Sequence, residues 1–323
     1  MGATGYIGRF VTRELVARGY EVVSFARERS GVNASDTEAK TRQELKGSEV
    51  RFGDVCDPAS LTRNGIRGEK FDVVVSCLTS RSGGIQDSWN IDYQATRNAL
   101  DAGKAAGASQ FVLLSAICVQ KPMLEFQRAK LKFEKELIES GLTWSIVRPT
   151  AFFKSIAGQV EAVRNGKSYK MFGNGELTAC KPISEADLAR FIADCIEDPA
   201  KQNKILPIGG PGKAVTNLDQ ARMLFELLGR EPKLTMVPIQ MFDVIIPLLS
   251  LLSRFFPKFR DKAELARIGK YYSSESMLVL NPATGKYDAD ATPSYGNDTL
   301  RDFYKRVLNE GLAGQELGAH SLF

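Results

Sequence analysis

Gly2-Ala3-Thr4-Gly5-Tyr6-Ile7-Gly8 opens the chain, and a helical pattern runs straight out of it through Phe10, Val11, Leu15 and Val16. Three glycines lie three apart. Such a turn lets backbone N–H groups approach a pyrophosphate closely at a helix N-terminus. Gly2, Thr4, Gly5, Tyr6, Ile7 and Gly8 are therefore candidate cofactor contacts. The spacing is G-x-x-G-x-x-G, not the G-x-G-x-x-G of ordinary dehydrogenases, and glycine triplets also mark plain turns. The residues downstream of the turn decide between a phosphate cradle and a plain turn.

After a stop at Arg18-Gly19-Tyr20, residues Glu21–Ala26 read as a buried strand that ends at Arg27. That end falls about twenty residues past the glycine turn, where a dinucleotide site reads the ribose 2′ position. A guanidinium matches a 2′-phosphate bidentately, so Arg27 points to NADPH; the alternative is a solvated surface arginine. Glu49–Phe52 is a further strand, followed by Asp54 and Val55, placed to meet the adenine. Asp57 before Pro58 reads as a helix N-cap. Phe71–Leu78, Gln110–Ser115 and Trp144–Arg148 are short apolar strands, with helices expected over Asn90–Ala106 and Leu124–Ser140. This alternation predicts an α/β fold with a doubly wound parallel sheet. Ligands in such sheets bind beyond the carboxyl ends of the strands. Arg27, Asp54, Leu78, Ser115, Pro149 and Thr150 all lie at such ends.

The fold also calls for a buried strand just before the glycine turn, and only Met1 stands there. The expectation is a chain that starts late, with the first strand of the sheet missing and no signal or transit peptide in view. The alternation weakens after Pro149. Residues 1–150 are expected to form the cofactor domain and 151–323 a smaller substrate lobe.

With 323 residues the chain has ample core for such a pair of units. The net charge of +5 is spread without basic runs, which disfavours nucleic acid as a partner. Cys56, Cys77, Cys118, Cys180 and Cys195 are dispersed with no C-x-x-C, the pattern of reduced thiols. The single histidine, His320, leaves neither a Ser-His-Asp triad nor a histidine-rich metal site to expect. Residues 241–260, MFDVIIPLLSLLSRFFPKFR, are apolar with a basic tail. Asp243, Pro247, Arg254 and Pro257 break the stretch too often for a bilayer span. It reads as a wall for a large apolar substrate, a peripheral membrane contact, or a core helix.

On the helix after the fifth strand the chain reads Glu125-Phe126-Gln127-Arg128-Ala129-Lys130. Short-chain dehydrogenases/reductases carry a proton-donating tyrosine four residues before a lysine there. Lys130 matches the lysine, while Phe126 holds the tyrosine position and carries no proton. The chain thus resembles an atypical, extended member of that superfamily. The runs Leu114–Pro122, Leu124–Glu134, Ile146–Ser155, Ala179–Ser184, Pro207–Lys213, Ser276–Leu280 and Thr292–Gly296 narrow the likeness. They resemble the NADPH-type divinyl chlorophyllide 8-vinyl reductases, over nearly the whole chain.

The resemblance implies NADPH as cofactor and a divinyl chlorophyllide or protochlorophyllide as substrate, with the 8-vinyl group reduced to ethyl. It implies that Lys130 holds the nicotinamide ribose, that Phe126 lines an apolar pocket, and that Phe152 and Phe153 pack against nicotinamide or macrocycle. It implies a chloroplast location, with a bacterial cytoplasm as the alternative. The proton donor stays open among Tyr169, Lys154 and Cys118. Two other readings stay open: a reductase of the isoflavone-reductase kind, and a redox-inert NADP-binding sensor or assembly subunit.

Overall fold

Short apolar runs separated by amphipathic stretches form parallel strands joined by crossover helices, as their pattern predicts. The computed structural model describes residues 1–30 and 36–311, and His320 lies outside them. In chain order the first half forms α1 (Tyr6–Ala17), β1 (Val23–Ala26), α2 (Glu38–Glu44), β2 (Glu49–Phe52), α3 (Pro58–Ser60), β3 (Val73–Ser76), α4 (Ile85–Asp87), α5 (Thr96–Ala105), β4 (Gln110–Leu114), α6 (Glu125–Ile138) and β5 (Thr143–Pro149). Turns of π-helix follow α3 at Leu61–Ile66 and precede α5 at Ser88–Ala95. Asp57 caps α3 as expected, its carboxylate accepting from the Ala59 N–H.

β4 shows why the strands read as unbroken apolar runs. Phe111 and Leu113 face Leu100, Phe133 and Leu137 of α5 and α6. Val112 and Leu114 face Ile7, Val11 and Leu15 of α1. A parallel strand covered by helices on both faces has no solvent side to alternate with.

The sheet is interrupted between β1 and β3. Met1 lies in the gap: its amino group donates to the Val75 carbonyl at 2.8 Å, and its carbonyl accepts from the Cys77 N–H at 3.0 Å. This is the bonding of one residue in a parallel ladder. Ala3, packed with Ala26, Leu45 and Val50, bridges to the β1–β2 pair.

The second half forms α7 (Val160–Arg164), β6 (Tyr169–Phe172), β7 (Ala179–Cys180), α8 (Glu185–Glu197), β8 (Lys204–Ile208), β9 (Val215–Thr216), α9 (Asn217–Leu227), β10 (Leu234–Val237), α10 (Met241–Leu252), α11 (Lys258–Ser274), β11 (Val279–Asn281), β12 (Lys286–Asp288) and α12 (Leu300–Glu310). The chain does not cross once at residue 150 into a separate lobe. Leu188, Phe191, Ile192 and Cys195 of α8 return to complete the core over α1. β8 pairs in parallel with β5, giving the order β3-β4-β5-β8. α7, β6, α9 and α12 build a second core around Val160, Tyr169, Leu224, Phe225, Phe303 and Tyr304, while α11 packs at the start of α6 through Ile268 and Tyr271.

The runs that carried the family likeness meet along the seam of the two cores. The Gly210 N–H donates to the Lys181 carbonyl at 3.1 Å, the Tyr295 N–H to Gly209 at 2.9 Å, and the Met277 N–H to Ala179 at 2.9 Å. A Cβ on Gly210 would lie 2.1 Å from the Pro182 carbonyl oxygen, so only glycine fits there.

The core-helix reading of residues 241–260 is overturned. In α10 only Phe242 is buried. Val244, Leu248 and Leu251 are 71, 55 and 52% exposed, and Phe255 just beyond is 72% exposed.

Candidate active site

Gly2 takes φ +76° and rests on the end of β3, where an added Cβ would lie 2.7 Å from the Cys77 carbonyl carbon. A Cβ on Gly8 would lie 2.0 Å from the Gly2 oxygen. The turn is therefore built from backbone alone. α1 starts after Gly5, and among the described residues no side chain caps it and no carboxylate stands in its first turn. Its first N–H groups keep their hydrogen-bonding capacity and the positive end of the helix dipole. These features fit a dinucleotide pyrophosphate.

The neighbours of the turn have separate tasks. Ile7 is buried beneath it. The Thr4 carbonyl accepts from Arg9 Nε at 3.2 Å. The Tyr6 ring lies under Lys154 Nζ at 4.3 Å. Burial, and then Glu185, hold the Tyr6 phenol far above its usual range.

At the adenosine end Arg27 is exposed just past β1. Burial and then Arg27 push the Arg81 guanidinium below its ordinary value. Asp54 accepts from the Cys56 N–H at 2.9 Å and shapes its own loop. Asn98 of α5 fixes that loop by donating to the Val55 and Cys56 carbonyls at 3.0 and 3.1 Å. Nothing local in the sequence marks Asn98, apart from its place on the buried stripe of α5.

At the other end Lys130 of α6 is buried, with Nζ 2.9 Å from Asp92 Oδ1. Asp92 also accepts from Thr79 Oγ1 at 3.0 Å and from the Ser80 N–H at 3.3 Å. One carboxylate thus joins α6, the π-helical turn and the loop that carries Leu78. Sequence reading missed Asp92. The available signal was an acidic residue on an apolar stripe, Ser88, Asp92, Ala95, Ala99 and Gly103, all buried.

Phe126, one turn before Lys130, packs with Cys118, Leu124, Ile268 and Tyr271, the last two from α11. The start of α6 is pinned by Gln127, which accepts from the Leu124 N–H at 2.9 Å and donates to the Cys118 carbonyl at 2.9 Å.

Four of the expected contact residues are engaged within the protein. Ser115 donates its hydroxyl to the buried Glu134 at 2.5 Å, and Glu134 is ion-paired with Arg148. Pro149 and Thr150 are buried at the end of β5, with Thr150 donating its hydroxyl to the Lys181 carbonyl. Phe153 is 2% exposed and packs on Phe303 with ring centroids 5.3 Å apart. It fills the second core, because the apolar face of α12 closes over it. Phe152 remains partly buried beside Ile183.

Burial raises Cys77 to about 11, and raises Cys180 and Cys195 to about 12. These thiols stay protonated near neutral pH and act as apolar filling.

A backbone cradle at a helix start, basic residues past β1 and a buried lysine on α6 define a Rossmann-type NAD(P)H-binding protein of the short-chain dehydrogenase/reductase kind. A family model described as NAD(P)H-binding matches residues 2–199. The NADPH-dependent quinone oxidoreductase of Escherichia coli, solved with NADPH, shares the fold at a TM-score of 0.65 and 19% identity, over 95% of this chain and 98% of that one. The divinyl chlorophyllide a 8-vinyl-reductase, chloroplastic, of Cucumis sativus is 59% identical over 329 residues, which span 100% of this chain and 78% of that protein. Its Arabidopsis thaliana counterpart is 57% identical over 325 residues, 98% of this chain and 78% of that protein. The chain belongs to the divinyl chlorophyllide a 8-vinyl-reductase family.

Asp92→Ala would leave the Lys130 ammonium buried without a partner. Urea unfolding is expected to show a loss of about 3 kcal/mol or more, and the double variant Asp92→Ala/Lys130→Met is expected to recover part of it. Unchanged stability in the single variant would contradict the pairing.

Proposed function

We propose that this protein reduces the 8-vinyl group of a divinyl chlorophyllide, or of its protochlorophyllide relative, to ethyl with NADPH in the chloroplast. The observation that carries the reading is Lys130 held by Asp92 one helical turn from Phe126. The lysine of a nicotinamide site is kept where the usual proton-donating tyrosine is absent. A vinyl group conjugated to a macrocycle suits that combination. NADPH, when bound, supplies hydride. Charge that develops as hydride reaches the terminal vinyl carbon spreads into the ring, and no carbonyl oxygen awaits a proton beside Lys130. Lys130 presents its ammonium to the nicotinamide ribose, with Asp92 fixing its position. Phe126 and the half-buried Phe152 offer apolar surface to a flat pigment. The names of the cucumber and Arabidopsis relatives support both the reaction and the chloroplast setting.

Incubation with NADPH and divinyl chlorophyllide is expected to shift the Soret band to the blue while NADPH is consumed. Lys130→Ala is expected to lower turnover at least about tenfold. NADPH binding without any turnover would instead favour the sensor or assembly reading.

Selectivity for NADPH over NADH rests on Arg27, exposed just past β1 where a dinucleotide fold reads the ribose 2′ position. Arg27→Ala is expected to weaken NADPH about tenfold or more and to leave NADH binding unchanged, as read by nicotinamide fluorescence. Equal losses for both would remove the assignment.

We also infer a peripheral membrane contact through residues 241–260. Val244, Leu248, Leu251 and Phe255 form an exposed apolar surface, and the exposed Arg254, Lys258, Arg260 and Lys262 flank it. That combination suits the interface of an anionic bilayer. No helix among the described residues is long and apolar enough to cross one. Flotation with anionic vesicles is expected to carry the protein upward, less so in high salt, and Leu248→Asp/Leu251→Asp is expected to abolish it. Flotation unaffected by the double substitution would place the contact elsewhere.

A further inference from the structure

With Phe126 unable to give a proton, the reduction needs an acid from another element. α11 is clamped onto the first core beside the start of α6. The Tyr271 hydroxyl donates to the Cys118 carbonyl at 2.8 Å. The Glu125 N–H donates to Glu264 at 2.9 Å, the Ile85 N–H to Asp261 at 3.1 Å, and Lys121 pairs with Glu275 at 2.7 Å. These contacts bring the next tyrosine, Tyr272, to the carboxyl end of β4, where its hydroxyl lies 3.9 Å from Cys118 Sγ.

The same point lies against the cluster of Cys118, Leu124, Ile268 and Tyr271 on which Phe126 packs, one helical turn from Lys130. Tyr272 is 36% exposed, so water can reach it and restore a proton. Three other candidate acids are placed less well. Tyr169 is sealed in the second core, Lys154 sits over Tyr6, and Cys118, 4% exposed, has no edge open to water.

We propose that Tyr272, supplied by α11 beside the start of α6, is the proton donor for the vinyl group. The assignment rests on the vinyl reduction under Proposed function. Hydride from the reduced nicotinamide forms the C–H bond at the terminal vinyl carbon, and the phenolic proton forms the C–H bond at the inner carbon. The carbon–carbon π bond is lost, vinyl becomes ethyl, the nicotinamide is oxidised by two electrons, and water reprotonates the phenolate. Burial, and then the nearby Cys118, Tyr271 and Asp92, keep the phenol well above its usual value, so it holds its proton until the substrate carbanion forms.

Tyr272→Phe tests the assignment, because it keeps the ring and removes only the hydroxyl. Melting temperature, NADPH binding by fluorescence and pigment binding by Soret titration are measured beside turnover. The expected result is a fall in kcat of about a hundredfold, with both dissociation constants and the melting temperature close to wild type. A fall in kcat of less than about tenfold, or a loss explained by weaker ligand binding, overturns it. Wild-type protein that binds both ligands yet leaves the pigment unreduced overturns the reduction itself, and this role with it.

Discussion

A lysine and an aspartate taken out of water together set the geometry of the cleft. Removing either charge from solvent alone is costly, and their mutual attraction offsets that cost only with good geometry and further hydrogen bonds. Asp92 has both. It lies 2.9 Å from Lys130 Nζ and also accepts from Thr79 and Ser80. The carboxylate therefore joins three segments that no apolar contact would orient so specifically: the loop after β3, the π-helical turn and α6. A hydrophobic pair of similar volume would hold them together as firmly, but would leave no ammonium facing the strand ends. The buried pair is better explained by what it presents than by what it stabilises.

The same logic separates what the sequence made legible from what it hid. Parallel strands, the glycine turn and the Asp57 cap follow from local rules, since period, spacing and neighbouring residues are enough to read them. Asp92, Glu134 and Asn98 break the apolar stripes on which they sit, so a reading by periodicity passes over them. Their partners, Lys130, Arg148 and the 55–56 carbonyls, lie 38, 14 and about 42 residues away, a distance over which no pattern fixes contact. The orientations of Ser115 and Phe153 were hidden for a related reason: which way each side chain turns depends on Glu134 and Phe303, supplied by other elements. α10 shows the limit most plainly. Its apolar composition is the same whether a core or a bilayer covers it, and composition alone does not say which.

The runs most diagnostic of the family are mostly not chemical. Lys181, Gly209, Gly210, Met277 and Tyr295 form a backbone-bonded seam between two cores. Gly210 has no room for any side chain beyond hydrogen. Residues at such a seam are constrained from both sides at once. That explains why they identify the protein better than the glycine turn does, since backbone approach to a phosphate is met by many spacings. Their contribution to function is indirect. They tie the 179–183, 209–210, 277 and 295 segments to one another.

That division of labour bears on why a phenylalanine is acceptable at position 126. In carbonyl chemistry the proton is needed at an oxygen beside the nicotinamide, which ties the acid to the helix that carries the lysine. In vinyl chemistry the charge moves into an extended ring system, and the proton is needed at a carbon of the substrate's edge. An acid on α6 then has no privileged position. On the proposed assignment the acid comes instead from α11, which Glu264, Asp261 and Glu275 hold beside the start of α6, where Phe126 packs against its Ile268 and Tyr271. The ring at position 126 then seats the helix that brings the acid, and needs no proton of its own.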